Sequence, residues 1–356
     1  MMKRPTNQRL IPRIRSESYM NIESFKDAIA NGTVEQIENV RQRRFTHILL
    51  LREVTAPARF TTDGQTANTT MVRVGDPDQR TIENRAVDLF YRKQPGAERR
   101  IAKSLQRDLI GGIGEGYDTD HMHPNQMTQN SPESVLFGSA AGNESVSQRS
   151  RVYYNTAYSL RDASVALRQN IQNASGDQPR NKASEGQGTW TPDFVLPGTM
   201  FPGVVTVDSA TPEEVLFVLG VIARTTRYGA GESRGGNTTN HILGVYTGRN
   251  DAPSNLEITR LAVAVLAGDP SDEEALSEIT TSRSLDIPQV KAAVQNAFEE
   301  LLHRRAIEVK TVDGEDASSV ANQLRNDDTL REVMADQHEQ VTDYIQRFDE
   351  SGSDNS

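Results

Sequence analysis

Phe45-Thr46-His47-Ile48-Leu49-Leu50-Leu51-Arg52-Glu53-Val54 decides how this chain is read. A strand with one wet face alternates apolar and polar residues. Ile48 to Leu51 does not alternate, which predicts a central strand covered on both faces. Working outward, the chain stays extended through Phe60, and Asp63-Gly64 is a turn signal. Residues 69–74 then alternate, so the whole reads as a long hairpin with Arg59, Phe60, Met71 and Arg73 near its two arms. Asp76-Pro77-Asp78 breaks the pattern. Residues 86–92 read as a strand, Pro95-Gly96 as a turn, and residues 98–110 as a helix with Ile101 and Leu105 inward. Upstream, the apolar spacing of residues 22–39 predicts two short helices interrupted at Asn31-Gly32.

Downstream, residues 111–116 are glycine-rich and 117–134 form an irregular polar loop. Residues 135–138 read as a short apolar strand or turn, and 151–160 as a strand. Residues 161–193, rich in Asn, Gln, Gly and Ser, read as a surface insertion. A strand is expected at 200–207. Thr211-Pro212-Glu213-Glu214 opens a helix to Arg224, with an N-cap threonine and proline in the first turn. A flexible loop, a strand over 240–247 and a helix over 258–266 follow. Beyond Gly268 the chain reads as acidic helical segments ending in a disordered tail. This order predicts an α+β, ferredoxin-like sheet with large insertions. The same sheet is the platform of RNA-recognition domains, although many proteins without RNA share it.

Composition narrows the function classes. The 356 residues contain no cysteine, which excludes disulfides, thiolate metal sites and cysteine nucleophiles. No apolar run is long enough to span a membrane. Residues 1–15 lack the apolar core of a secretory leader, so a cytoplasmic protein is expected. The net charge is −10, but it is unevenly spread. Residues 1–110 hold 20 Lys and Arg against 13 Asp and Glu, whereas residues 311–356 hold three against 12. The basic residues are 32 Arg and seven Lys, and guanidinium suits phosphate contacts and base stacking. An organism-wide preference for Arg and acids explains that excess equally well.

Several stretches could carry chemistry. Arg99, Lys103 and Arg107 recur at i, i+4 and i+8, one helix face that can follow a phosphate backbone. An ordinary solvated face has the same spacing, and spacing alone favours it. Gly111–Gly116 lacks the Gly-Lys-Ser/Thr of a phosphate loop and follows a helix rather than a strand. Asp118, Asp120, His121 and His123 could cluster around a metal, but they suit a solvated loop better, and no metal or other cofactor is expected. The most informative stretch is Arg224 to Gly236, where Arg224, Arg227, Tyr228 and Arg234 lie among glycines at a helix end. Arginine offers phosphate contacts, tyrosine a stacking face and glycine close backbone approach. No catalytic set stands out.

Blocks of sequence resemble one family. Thr46-His47-Ile48-Leu49-Leu50-Leu51-Arg52-Glu53, then Phe60-Thr61-Thr62-Asp63-Gly64, are similar to the opening of the backbone subunit of type I-D CRISPR interference complexes, in the repeat-associated RNA-binding superfamily. Ser134-Val135-Leu136-Phe137-Gly138, Phe201-Pro202-Gly203-Val204-Val205-Thr206-Val207, Pro212 to Val218, Arg224 to Ala230 and Asn240 to Val245 match further blocks in the same order. The resemblance spans roughly residues 45–260. It implies an RNA-recognition-like palm with a hairpin thumb, and several copies polymerising on one CRISPR guide RNA.

By that resemblance the thumb lies at about 54–75, with Arg59, Phe60, Met71 and Arg73. Arg52, Arg99, Lys103, Arg107, Arg224, Arg227, Tyr228 and Arg234 would bind guide RNA. Implied partners are other copies of the chain, other type I-D effector subunits, and target DNA or RNA through the guide. Some related subunits cut target RNA with a thumb-proximal aspartate, for which Asp63 is the candidate by position. Relatives also carry clustered cysteines, resembling a zinc site, where this chain has Thr128, Ser131 and Ser134. The expected organisation is an N-terminal helical segment (1–44), a core (45–268) with insertions at about 111–134 and 161–199, and an acidic C-terminal region (269–356). A structural protein without nucleic acid is the remaining alternative.

Overall fold

The computed structural model describes residues 20–62, 64, 66–123, 127–140, 147–169, 172–173, 189–229 and 235–353. The chain begins with α1 (Ile22–Ile29), β1 (Phe45–Val54), β2 (Thr69–Asp76), β3 (Arg80–Leu89), α2 (Lys93–Ile110) and α3 (Pro132–Phe137). It continues through β4 (Val152–Tyr154), β5 (Ala157–Asp162), α4 (Ala163–Ala166), β6 (Leu167–Gln169), β7 (Gln172–Asn173), β8 (Thr189–Trp190) and β9 (Asp193–Val195). Then come β10 (Met200–Asp208), α5 (Pro212–Arg224), β11 (Thr238–Gly248), α6 (Asn255–Ala267), α7 (Glu273–Thr281) and α8 (Ile287–Arg304). The described chain closes with β12 (Val309–Asp313), α9 (Gly314–Gln323) and α10 (Asp327–Ser353).

The main sheet runs β12-β11-β1-β10-β4 and is antiparallel throughout. Without β12, its order and its two crossover helices, α2 and α5, are those of a ferredoxin-like unit. Ile48, Leu49, Leu50 and Leu51 are completely buried, as a doubly covered strand requires. The helix α5 starts with the predicted cap: Thr211 and Glu214 satisfy each other's backbone N–H groups in a capping box. Both edges of the sheet are short, three residues in β4 and five in β12.

The two faces of β1 feed two cores. Ile48 and Leu50 pack with α1, α2, α5, α9 and α10. Leu49 and Leu51 pack with Val72 and Val74 of β2 and with α6, α7 and α8. The face on which an RNA-recognition domain stacks bases is therefore filled by apolar side chains here. This agrees with the apolar run Ile48–Leu51, which calls for cover on both faces.

Three further expectations change. The strand β2 pairs with β3, from Thr69↔Val87 to Asp76↔Arg80, and not with β1. Pro77, Asp78 and Gln79 form the hairpin tip, and Arg304 of α8 holds it through Asp76 (2.8 Å) and Asp78 (3.1 Å). The Ser134–Phe137 block is helical, opened by Ser131 as N-cap. In the acidic C-terminal region, β12 joins the sheet beside β11, and α10 packs on α5.

Candidate nucleic-acid interface

Two segments distant in sequence pack against each other, the chain following β1 and the chain following α5. Thr55 N–H donates to the Asn237 carbonyl (2.9 Å). The Asn237 side chain accepts from Tyr228 N–H (3.1 Å) and donates to the Tyr228 carbonyl (2.8 Å). Gly229 has φ +103°, and a Cβ there would lie 2.3 Å from the Arg59 carbonyl oxygen. Glycine is thus required twice, for the backbone angle and for the contact. Phe60, Tyr228 and Phe201 share one small core, with the Phe60 and Phe201 rings edge to face at 5.7 Å. The structure so brings together Arg59, Phe60, Arg227 and Tyr228. Arg227 is exposed, and half-buried Arg59 donates to the Gly64 carbonyl (3.1 Å).

Beneath this junction lies a buried polar cluster. Arg52 Nη2 donates to Glu98 Oε1 (3.0 Å), and the Tyr228 hydroxyl donates to the same oxygen (2.7 Å). The Tyr154 hydroxyl donates to Glu98 Oε2 (2.6 Å). The Arg52 guanidinium stands 5.6 Å from the centre of the Tyr228 ring. Burial, followed by the Glu98 charge, pushes the Tyr228 phenol far up, so it stays protonated and donates. Burial opposes the Arg52 charge, but with Tyr228 neutral the Glu98 carboxylate outweighs burial and Arg52 stays charged, its pKa raised. Arg52 and Tyr228 are therefore internal anchors in this fold, not surface contacts. Glu98 escaped the sequence reading, although a carboxylate on the stripe with Ile101 and Leu105 signals a buried partner.

The basic face of α2 also turns inward. Arg99 donates to Glu133 Oε1 (2.5 Å) and to the Gly138 carbonyl (2.7 Å). Lys103 Nζ lies 2.6 Å from Asp120, 2.7 Å from Glu133 and 3.3 Å from Ser134 Oγ, and is 1% exposed. Arg107 donates to the Asp120 carbonyl (2.5 Å). The i, i+4, i+8 ladder clasps the chain between Tyr117 and Gly138, where it was expected to follow phosphates.

Asp120 also accepts from Gln106 (2.7 Å), Thr128 N–H (2.8 Å) and Ser131 Oγ (3.4 Å). Thr128, through its N–H, and Ser131 and Ser134, through their hydroxyls, thus lie around the Lys103 ammonium and its carboxylate partners. Only Ser134 Oγ faces the ammonium directly, Ser131 Oγ faces Asp120 and the Thr128 hydroxyl turns to the Gly116 carbonyl (3.1 Å), and such hydroxyls beside a fixed cation do not fit zinc. Among the described residues no group of three or more His, Asp or Glu could hold a metal.

The remaining candidates lie apart. Arg224 bonds to the Leu324 carbonyl and to Asp327 (2.9 Å). Met71 (61% exposed) and Arg73 stand on the outer face of the β2–β3 hairpin, Arg73 bonding to the Thr81 hydroxyl and carbonyl, both at 2.8 Å. Asp63 and Arg234 lie outside the described residues.

No curated protein sequence matches the chain. Among solved structures, the crystal structure of Csc2 from Thermofilum pendens is similar at a TM-score of 0.51 and 16% identity, covering 90% of this chain and 92% of that one. A chain of a CRISPR RNA-guided surveillance complex aligns at a TM-score of 0.46 and 12% identity, over 79% and 98% of the two chains. The sequence profile described as Csc2 Crispr matches residues 33–335, which takes in the second core, most of the first, the two apposed segments and the α2 clasp. The chain belongs to the Csc2 CRISPR family.

Proposed function

We propose that the chain is a guide-RNA-binding backbone subunit of a type I-D CRISPR interference complex. Family membership supports this, and one structural observation carries it furthest. The segments around Arg59 and Arg227 are locked together by Gly229 and Asn237 and fixed to the palm through Tyr228. That rigid junction presents an exposed arginine. It can hold an RNA backbone without reading its bases, leaving sequence recognition to pairing by the guide. With the sheet face filled, RNA runs over loops and not across the strands.

The test is co-expression with a CRISPR array, its processing nuclease and the neighbouring subunits, followed by sequencing of the bound RNA. Repeat-spacer RNA of discrete length in a particle much larger than one chain is expected. RNA-free protein under all these conditions would overturn the reading. In the loaded particle, Arg227→Ala should lower RNA affinity and reduce the slope of log K against log salt by about one.

A further inference from the structure

Nine tyrosines are spread over 356 residues, yet Tyr91, Tyr154 and Tyr158 meet at one cleft with Asn155 and Ser254. The cleft measures about 530 Å³, within the ~300–1,000 Å³ range of small-ligand sites. It lies where the β3–α2 junction, the β4–β5 turn and the start of α6 come together.

The aromatic groups are fixed. Tyr91 N–H donates to Thr156 Oγ1 (3.3 Å), and its ring lies 4.7 Å from that of Phe90. Its hydroxyl accepts from Arg92 Nε (2.9 Å), and the Arg92 guanidinium sits 5.5 Å from its ring centre. The Tyr154 hydroxyl is committed to Glu98. Two of the three hydroxyls are thus engaged, and the cleft has aromatic surface left to offer. Tyr91 remains 38% exposed.

The helix end beside the cleft is not an anion site. The N-terminus of α6 is closed by Ser254 and Glu257, whose carboxylate accepts from Ser254 N–H (2.9 Å) and Oγ (2.7 Å). A carboxylate already holds the place a phosphate would take. What the cleft itself offers is tyrosine surface, which suits a planar aromatic group. Glu98 bonds both Tyr154 and Tyr228, so the cleft and the Arg227 loop are built on one carboxylate.

We propose that the Tyr91–Tyr154–Tyr158 cleft seats a nucleobase of bound single-stranded RNA by stacking on tyrosine. This rests on the RNA-binding reading above. The probes are a single-stranded RNA oligonucleotide and its abasic ribose-phosphate counterpart, titrated onto the full-length protein over a salt series. Stacking is worth about 1–3 kcal/mol per base, so Tyr91→Ala and Tyr158→Ala should each weaken oligonucleotide binding about 5- to 150-fold.

The salt slope should not change, because tyrosine neutralises no phosphate. Tyr91→Phe and Tyr158→Phe should bind as the parent does, and the abasic probe should not distinguish any variant. Alanine variants that bind the oligonucleotide normally, or that lose both probes equally, overturn the proposal. So does normal RNA binding with failed particle assembly, which assigns the cleft to a protein contact. If the parent protein binds neither probe even at low salt, the RNA-binding reading falls and takes the seat with it.

Discussion

His47 shows how one side chain ties folding to pH. It is fully buried on β1, between Thr206 Oγ1 at Nδ1 (3.0 Å) and the Asn250 carbonyl at Nε2 (2.9 Å). Burial lowers its pKa below the ordinary histidine value. As pH falls, the unfolded chain takes up the proton before the folded one. This contribution to stability is full above about pH 6.5 and is lost as pH drops through the folded value. His47→Gln should flatten the urea-midpoint profile between about pH 7 and pH 5; a profile matching the parent's would count against the assignment. Gly229 is a second such residue. Gly229→Ala forces a left-handed alanine onto the Arg59 carbonyl and should cost about 1–3 kcal/mol or more in urea unfolding. RNA affinity should fall with it, since the loop must move away from Arg59.

At the scale of elements, α2 is the instructive case. Its sequence shows three cations on one face but not their partners, because Asp120 lies in an irregular loop and Glu133 in the six-residue helix α3, segments too short or aperiodic to be placed by pattern. Lys103 stands between both acids, so Lys103→Met leaves two buried carboxylates facing each other. Removing one partner of a buried pair costs about 3–5 kcal/mol. The variant should melt well below the parent and be cut faster by protease between residues 111 and 138. The parent's melting should be unaffected by a chelator, because the clasp's positive charge is a covalently attached ammonium. A chelator-sensitive parent would contradict this account. Hairpin pairing was equally illegible. Residues 69–74 alternate, and alternation names a face without naming a partner; the sequence points to a turn at Asp63-Gly64, and the structure makes the hairpin turn at Pro77-Asp78. The elements β1, β10, α5 and β11 were legible because long apolar runs and a strong cap leave few other solutions.

The whole molecule depends on its acidic end. The order β11-β1-β10-β4 and the cover on both faces of β1 follow from the sequence, but which elements cover the second face does not. Val290, Val294 and Phe298 of α8 are spaced along a helix as any amphipathic stripe would be, and nothing local says which sheet they cover. Among the described residues no helix is long and apolar enough to cross a membrane. A chain ending at residue 308 loses β12, α9 and α10 with the turn between the helices, which supply Val312, Val320, Leu324, Leu330 and Met334 to the first core. That truncation should not yield a cooperatively unfolding protein; a sharp thermal transition with native circular dichroism would refute the dependence. The two short sheet edges carry a different consequence. A long, bare edge strand invites a neighbour's strand to extend the sheet, a contact that is hard to reverse. Here β4 offers three residues, and β12 offers five with exposed Lys310 among them. If copies line up on one RNA, as proposed above, they would find little backbone to zip together; spacing along the row would fall to the RNA and to side chains, and the row would come apart once its guide is gone.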